Sequence, residues 1–354
     1  MKVLVIGAGV LGSLYAGRLQ ASGHQVTLLA RGERLEQIKT QGLVLVDHRT
    51  GIRTKTKVPV VDQISQNDHY ELVILLVRKN QLHDLIPTIA SNKNIPSFLF
   101  MVNSASGFDE YFQVIGRERV LLGFPGAGGY RDPSGKVDYS ILPAFLQSTQ
   151  IGEVDGSNTP RLIKIASLFR DSGFPTEIQK NMDAWLKTHV ALVSPIANAI
   201  YLADGDVNRL AETRDGLIMM IRAIREGFHV LDHLAIPVVP GRLKILRYLP
   251  ESILIAILKM IFKSPKTELI MARHARSARD EMRQLALEFQ HLIIHARVPT
   301  LNIDNLMRYV DIDVEPLPVG SRTIKVCRQD WTIMLLAIVG FLFGVILVHK
   351  HRNK

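Results

Sequence analysis

The chain has 354 residues, 47% hydrophobic and 21% charged, which excludes a disordered chain and leaves room for two domains with cores of their own. Its single cysteine, Cys327, excludes a disulfide framework and any cysteine-based zinc site. A formal charge of +10 favours anionic partners (nucleic acid, anionic lipid or a phosphorylated ligand), and a mean hydropathy of +0.13 signals apolar surface beyond a core.

Residues 1–175 alternate strand-like and helix-like runs: KVLVIG, LGSLYAGRLQASG, QVTLLA, then ELVILLV, a helical KNQLHDLIPTIA, SFLFMV and RVLLGF. Short apolar runs separated by amphipathic stretches predict a parallel sheet with helices on both faces. Gly7, Gly9 and Gly12 interrupt the first run, so it reads as a buried strand, and no export signal is expected. Leu43 to Val61 alternates around Arg49-Thr50-Gly51 and predicts a hairpin. Gly126-Ala127-Gly128-Gly129 opens a second β-rich stretch that ends near Val154. From Asn181 helical periodicity takes over up to about Val310. The expected organisation is an α/β domain over 1–175, an all-helical domain over 176–310 and a linker over 311–330, marked by Pro316, Pro318, Gly320 and Ser321.

From Trp331 to Val348 eighteen residues carry no charge, and a helix of that length covers about 27 Å, enough for a hydrocarbon core. Trp331 suits one interface, and His349, Lys350, His351, Arg352 and Lys354 suit the other. The expectation is a C-terminal transmembrane helix over 331–348, followed by a basic tail over 349–354. Cys327 beside it reads as an unmodified thiol, with juxtamembrane acylation as the alternative. The stretch Leu249 to Lys263 is too short and too charged to span, and reads as a buried helix or an interfacial one.

Gly7-Ala8-Gly9-Val10-Leu11-Gly12 is GxGxxG between a strand and a helix, with a second strand within thirty residues. Gly7 permits the tight turn, Gly9 lets backbone approach a pyrophosphate, and Gly12 allows close helix–strand packing. This is a dinucleotide-binding fingerprint of the Rossmann type. At the end of the second strand Arg31 stands where an NAD site usually carries an acid, and a guanidinium can grip a 2′-phosphate, so NADPH is the expected cofactor. Glu33, two residues on, reads as the opening of the next helix. No His/Cys/Asp cluster has metal-ligand spacing, and no motif supports nucleic-acid binding.

GAGVLGSLYAGRL, ARGERLEQIKTQGL and NMDAWLKTHVALVSPIANAI together resemble the ketopantoate reductase (2-dehydropantoate 2-reductase) family over about residues 1–310. The resemblance implies a Rossmann domain, an all-helical domain and an active site in the cleft between them. It also implies NADPH-dependent reduction of a 2-oxo acid, 2-dehydropantoate, in pantothenate biosynthesis. It places the catalytic lysine on Lys187, a cofactor-binding lysine on Lys79 and a cofactor- and substrate-binding asparagine on Asn103. A late glutamate falls on Glu281 with a two-residue gap before Pro299, and Gly128 joins the cofactor set. The asparagine motif is altered to Asn103-Ser104-Ala105-Ser106-Gly107, and the implied substrate asparagines fall on Ala191 and Pro195, where they are lost.

Hydride addition to a 2-oxo acid leaves negative charge on the carbonyl oxygen, which a lysine can stabilise and protonate. Lys187 lies in an apolar stretch, where such a residue either snorkels to water or faces a cleft. At about 100° per residue, Ser194 and Asn198 fall within about 20° of Lys187 and offer substrate hydrogen bonds in place of the lost asparagines, or else satisfy local backbone groups. His189 points away and reads as packing. Arg273, Arg276, Arg279 and Arg283 form either a solvated basic face or an anion-attracting rim. The leading expectation is an NADPH-dependent 2-oxo acid reductase, anchored to a membrane by its C-terminal helix with the catalytic domains facing the cytoplasm, and free to form homo-oligomers. The alternatives are a reductase of a more hydrophobic oxo compound and a catalytically silent NADPH-binding regulator or scaffold.

Overall fold

The computed structural model describes residues 1–264, 267 and 273–327. They form two compact units, one of Met1–Val190 with Leu269–His291, the other of Ala191–Glu268 with the chain from Leu292 onward.

In the first unit the chain runs β1 (Lys2–Ile6), α1 (Val10–Ala21), β2 (Gln25–Leu29), α2 (Gly32–Gln41), β3 (Leu43–Asp47), β4 (Arg53–Thr56) and β5 (Val60–Val61). It continues through β6 (Leu72–Leu75), α3 (Leu82–Ala90), β7 (Phe98–Phe100), α4 (Asp109–Ile115), β8 (Val120–Phe124), β9 (Ala127–Arg131) and β10 (Val137–Ile141). Then come α5 (Ala144–Gln147), β11 (Thr149–Glu153), α6 (Pro160–Asp171), β12 (Thr176–Ile178) and the first part of α7 (Met182–Leu202).

Eight strands form one sheet in the order β12-β11-β8-β7-β6-β1-β2-β5, parallel except where β11 runs against β8. Val3 pairs with Val26 on one side and Leu72 on the other. The central strands are buried on both faces, which is why they read as continuous apolar runs rather than alternating ones. From β1 the chain goes to β2 on one side and later to β6 on the other. The rim after Ile6 and Leu75 is therefore the topological switch point, where open α/β sheets bind ligands.

A second sheet, β4-β3-β10-β9, forms a separate layer that the strand pattern does not predict. The expected hairpin ends at Thr56, which pairs with Leu43, and Val60–Val61 leave it to extend β2. Pro59 has no N–H for a ladder, and its carbonyl accepts the Leu28 amide at 2.9 Å instead. Helix α1 lies between the two sheets, so it is buried nearly all round, from Gly12 through Leu19. A Cβ at Gly17 would stand 2.7 Å from a Leu45 methyl, so a larger residue would have to push that side chain aside. Behind it Tyr15 stacks on Phe174 at 4.1 Å and satisfies its buried hydroxyl with Thr149 at 2.7 Å.

The second unit holds the rest of α7, α8 (Val207–Glu212), α9 (Arg214–His233) and α10 (Glu251–Phe262). Helix α11 (Arg273–Ser277) and most of α12 (Arg279–Ala296) belong to the first unit, and α13 (Leu301–Met307) to the second. On α9 a helical stripe including Leu217, Ile221, Ile224, Phe228 and Leu231 is buried. Gly227 brings α9 against α7: a Cβ there would lie 3.1 Å from the Ala191 Cβ and 3.2 Å from its carbonyl oxygen. Within the expected linker, Ser321–Cys327 is bonded to this unit. Asp215 accepts the Thr323 and Ile324 amides at 2.7 and 3.0 Å, and Glu251 accepts the Cys327 amide at 2.8 Å.

The expectation of a membrane-spanning helix is corrected. Among the described residues no helix is long and apolar enough to cross a membrane. The two longest, α7 and α9, carry charged residues such as Asp183, Lys187, Arg222 and Glu226, and the apolar α10 has only 12 residues. Residues 331–348 and the tail 349–354 lie outside the described residues. The expected membrane partner and anchored location therefore have no support among the described residues.

Candidate functional site

The glycine loop joins β1 to α1 at the switch point. Gly7 has φ +105°, and a Cβ there would stand 2.4 Å from the Leu76 carbonyl oxygen. At Gly12 a Cβ would stand 1.6 Å from the Gly7 oxygen, so helix and loop touch backbone to backbone. Gly9 differs, since a Cβ there would meet nothing within 4 Å. It is the N-cap of α1, and no side chain caps the helix, which leaves the amides of Val10, Leu11 and Gly12 directed at open space. Two crowded glycines and one open one fit a loop shaped to receive a diphosphate.

At the end of β2, exposed Arg31 is the N-cap of α2. Glu33 lies in the first turn of α2 and accepts Gln37 Nε2 at 3.0 Å, so the carboxylate is engaged within its own helix. Arg34 reaches back to the glycine loop. Its Nε donates to the Ala8 carbonyl at 3.2 Å, and its terminal nitrogens to Ser13 Oγ at 2.9 Å and the Gly135 carbonyl at 2.9 Å. Gly128, in β9, pairs with Ser140 in the second sheet.

After β6, Lys79 is buried, and its ammonium is surrounded by acceptors: Ser104 Oγ at 2.7 Å, Ser106 Oγ at 2.5 Å, the Gly107 carbonyl at 3.1 Å and Glu288 Oε1 at 3.0 Å. Glu288, from α12, also accepts the Ala105 and Ser106 amides at 2.8 and 3.1 Å. Burial alone would raise its pKa, but the Lys79 charge and these amides hold it below the usual carboxylate range. The altered Ser-Ala-Ser-Gly run is therefore the clamp that fixes the loop carrying Asn103. Asn103 donates through Nδ2 to Glu281 Oε1 at 3.5 Å, and its buried Oδ1 has no hydrogen-bond partner among the described residues. Arg78 holds the same start of α12 through a two-pronged bond to Asp280 at 2.8 and 2.9 Å.

Lys187 is largely buried, with 16% of its side chain exposed, and pairs with Asp183 one turn earlier at 2.5 Å. A Cβ on Gly107 would lie 3.8 Å from the Asp183 carboxylate, so the lysine pair adjoins the Asn103 loop. His189 stacks on Trp185 at 5.2 Å and packs on Phe124. In the second unit Ser194 and Asn198 are buried, and Asn198 Oδ1 has no partner among the described residues. Arg273 stacks on the Tyr130 ring at 4.2 Å. Sequence reasoning missed Asp183, Glu288, Arg34 and Arg78. Asp183 was findable as the carboxylate one helical turn from Lys187; nothing local in the sequence links Glu288 to Lys79. No group of three or more potential metal ligands occurs among the described residues.

Residues 3–156 match the family model described as Ketopantoate reductase PanE/ApbA. The 2-dehydropantoate 2-reductase of Aquifex aeolicus (strain VF5), an oxidoreductase by name, is 23% identical over 239 residues, covering 67% of this chain and 74% of the relative. Among solved structures, a PanE/ApbA family ketopantoate reductase from Ralstonia eutropha JMP134 aligns with a TM-score of 0.69 and 19% identity, over 88% of this chain and 97% of that one. D-mandelate dehydrogenase with NADH and anilino(oxo)acetate aligns with a TM-score of 0.68 and 19% identity over the same shares, a likeness of fold.

Proposed function

We propose that the protein reduces a 2-oxo acid such as 2-dehydropantoate with NADPH. The observation that carries this reading is the open Gly9 cradle at the switch point of a PanE/ApbA domain, with Asn103, Glu281 and Lys187 on the neighbouring loop and helices. The names of the curated relatives and the oxo acid held by the mandelate dehydrogenase point to the same substrate class.

A reduced nicotinamide, when bound, supplies hydride to C2 of the oxo acid. The α1 amides and Gly9 hold its diphosphate, and Arg31 the 2′-phosphate. Arg31 favours NADPH because Glu33 is turned to Gln37 and no carboxylate occupies the strand end. Lys187 donates a proton to the oxygen at C2, and Asp183 orients its ammonium. Asn103 Oδ1 accepts from bound cofactor or substrate, while Glu281 fixes the amide by accepting from Nδ2. Lys79 and Glu288 act indirectly, by holding the loop.

The test is NADPH oxidation followed by absorbance across a panel of 2-oxo acids, 2-dehydropantoate included. Lys187→Ala should lower kcat by about 100-fold or more while NADPH still binds. Turnover unchanged in that variant would remove the lysine from the chemistry, and binding without any turnover across the panel would favour a silent nucleotide-binding regulator.

A further inference from the structure

The charge around the glycine loop is not balanced by the protein. Arg131, at the end of β9, donates to the Ala8 carbonyl at 3.4 Å, the same oxygen that accepts Arg34 Nε at 3.2 Å. Two guanidinium groups thus converge on one backbone oxygen inside the dinucleotide fingerprint. Burial first, and the Arg131 charge second, push the Arg34 pKa down to about 10. The acids adjacent in sequence offer no relief. Glu33 is bonded to Gln37, and Asp132 accepts Ser134 Oγ at 2.6 Å and the Lys136 amide at 3.0 Å, with the Lys136 ammonium 3.3 Å away.

The two arginines are not equivalent. Arg34 is half-buried, and its donors are distributed over Ala8, Ser13, Gly135 and Gln37, so it is a strut that ties α2, the loop and the β9–β10 turn together. Arg131 is exposed, and its side chain makes no other bond among the described residues. A cation beside a second cation, on a loop with uncapped helix amides and an open glycine, is stabilised once an anion arrives. Resting on the reading of the loop as a dinucleotide site, we infer that Arg131 is a second phosphate-binding arginine, contributed by the small sheet, which grips a phosphate of the cofactor alongside Arg31. Its long bond to Ala8 holds the guanidinium over the loop until the phosphate is bound.

The test is direct binding, by fluorescence of the reduced cofactor and by calorimetry, of NADPH and NADH to the full chain and to Arg131→Gln. A lost charge-assisted hydrogen bond to phosphate weakens binding by about ten- to a hundredfold. NADPH affinity should fall by that factor in Arg131→Gln and recover in part in Arg131→Lys, with the folded state checked by circular dichroism. A loss confined to NADPH assigns Arg131 to the 2′-phosphate, and an equal loss for NADH assigns it to the diphosphate. Either result supports the inference. NADPH binding within about twofold of wild type in a folded Arg131→Gln would overturn it while leaving the dinucleotide reading standing. Absence of dinucleotide binding by the wild-type chain would overturn that reading itself, and this inference with it.

Discussion

Replacing Glu288 with glutamine strips the counter-charge from a buried ammonium. Lys79 and Glu288 expose 6% and 11% of their side chains and lie 3.0 Å apart. At an effective dielectric of about 20, that separation corresponds to an attraction of about 5.5 kcal/mol before desolvation is subtracted. Removing one partner of such a pair costs about 3–5 kcal/mol, because the other charge stays buried. Glutamine keeps an oxygen for the Ala105 and Ser106 amides, and Lys79 keeps Ser104, Ser106 and the Gly107 carbonyl. The expected loss is therefore near the lower end, about 3 kcal/mol at pH 7 by urea denaturation. The sign of the pH dependence follows from the depressed folded-state pKa of Glu288. Its contribution is complete above the unfolded value of about 4.3 and is lost as pH falls through the folded value, so the gap between wild type and variant should close in acid. Adding Lys79→Met to Glu288→Gln removes the stranded charge and should recover at least about 1 kcal/mol. A loss below about 1 kcal/mol at pH 7, or strict additivity in the double variant, would refute the reasoning.

Gly9→Ala should leave thermal stability within about 1 kcal/mol of wild type yet weaken NADPH at least about tenfold, because the methyl enters the space meant for the diphosphate. Gly12→Ala, with its methyl placed against the Gly7 oxygen, should cost more than about 3 kcal/mol and show as a fall in melting temperature; equal behaviour of the two would contradict the loop geometry. Arg31→Ala should weaken NADPH about ten- to a hundredfold more than NADH in a fluorescence titration, and equal losses would remove it from the 2′-phosphate. Ala191→Asn should destabilise by about 1–3 kcal/mol in urea, since the larger side chain enters the contact with Gly227; a neutral result would show that the helices can part there.

Sequence reveals most readily whatever is encoded locally. The strand KVLVI, the glycine spacing and the helix after it are legible because turn sterics and helix amides act over a few residues. Pairing is less so. The second sheet draws β3 and β4 from one hairpin and β9 and β10 from another, and the parallel β3–β10 pair that joins them has no local signature. Pro59, just beyond the first hairpin, is a local signal that the chain has left it, and its carbonyl accepts the Leu28 amide as Val60–Val61 extend β2. The same divide holds in the site. Lys187 and Asp183 share one helix, whereas Lys79 meets its carboxylate only because α12 belongs with the Rossmann sheet.

The residues that depart from the ketopantoate reductase pattern are the ones the structure explains through packing. At Asn103-Ser104-Ala105-Ser106-Gly107, the two hydroxyls are acceptors for Lys79, and the amides between them are held by Glu288. This loop is braced by a buried ion pair, and Asn103 presents an oxygen with no partner among the described residues. At position 191 the alanine follows from the neighbouring helix. With Gly227 opposite, the Ala191 methyl already fills the space, and a larger side chain there would press against the α9 backbone. Pro195 leaves α7 a single helix of 21 residues through Leu202. On the same helix Asn198 holds a buried oxygen without a partner among the described residues. Alanine and proline in place of asparagine thus make this helix less polar than the pattern implies, and at position 191 the reason is its contact with Gly227.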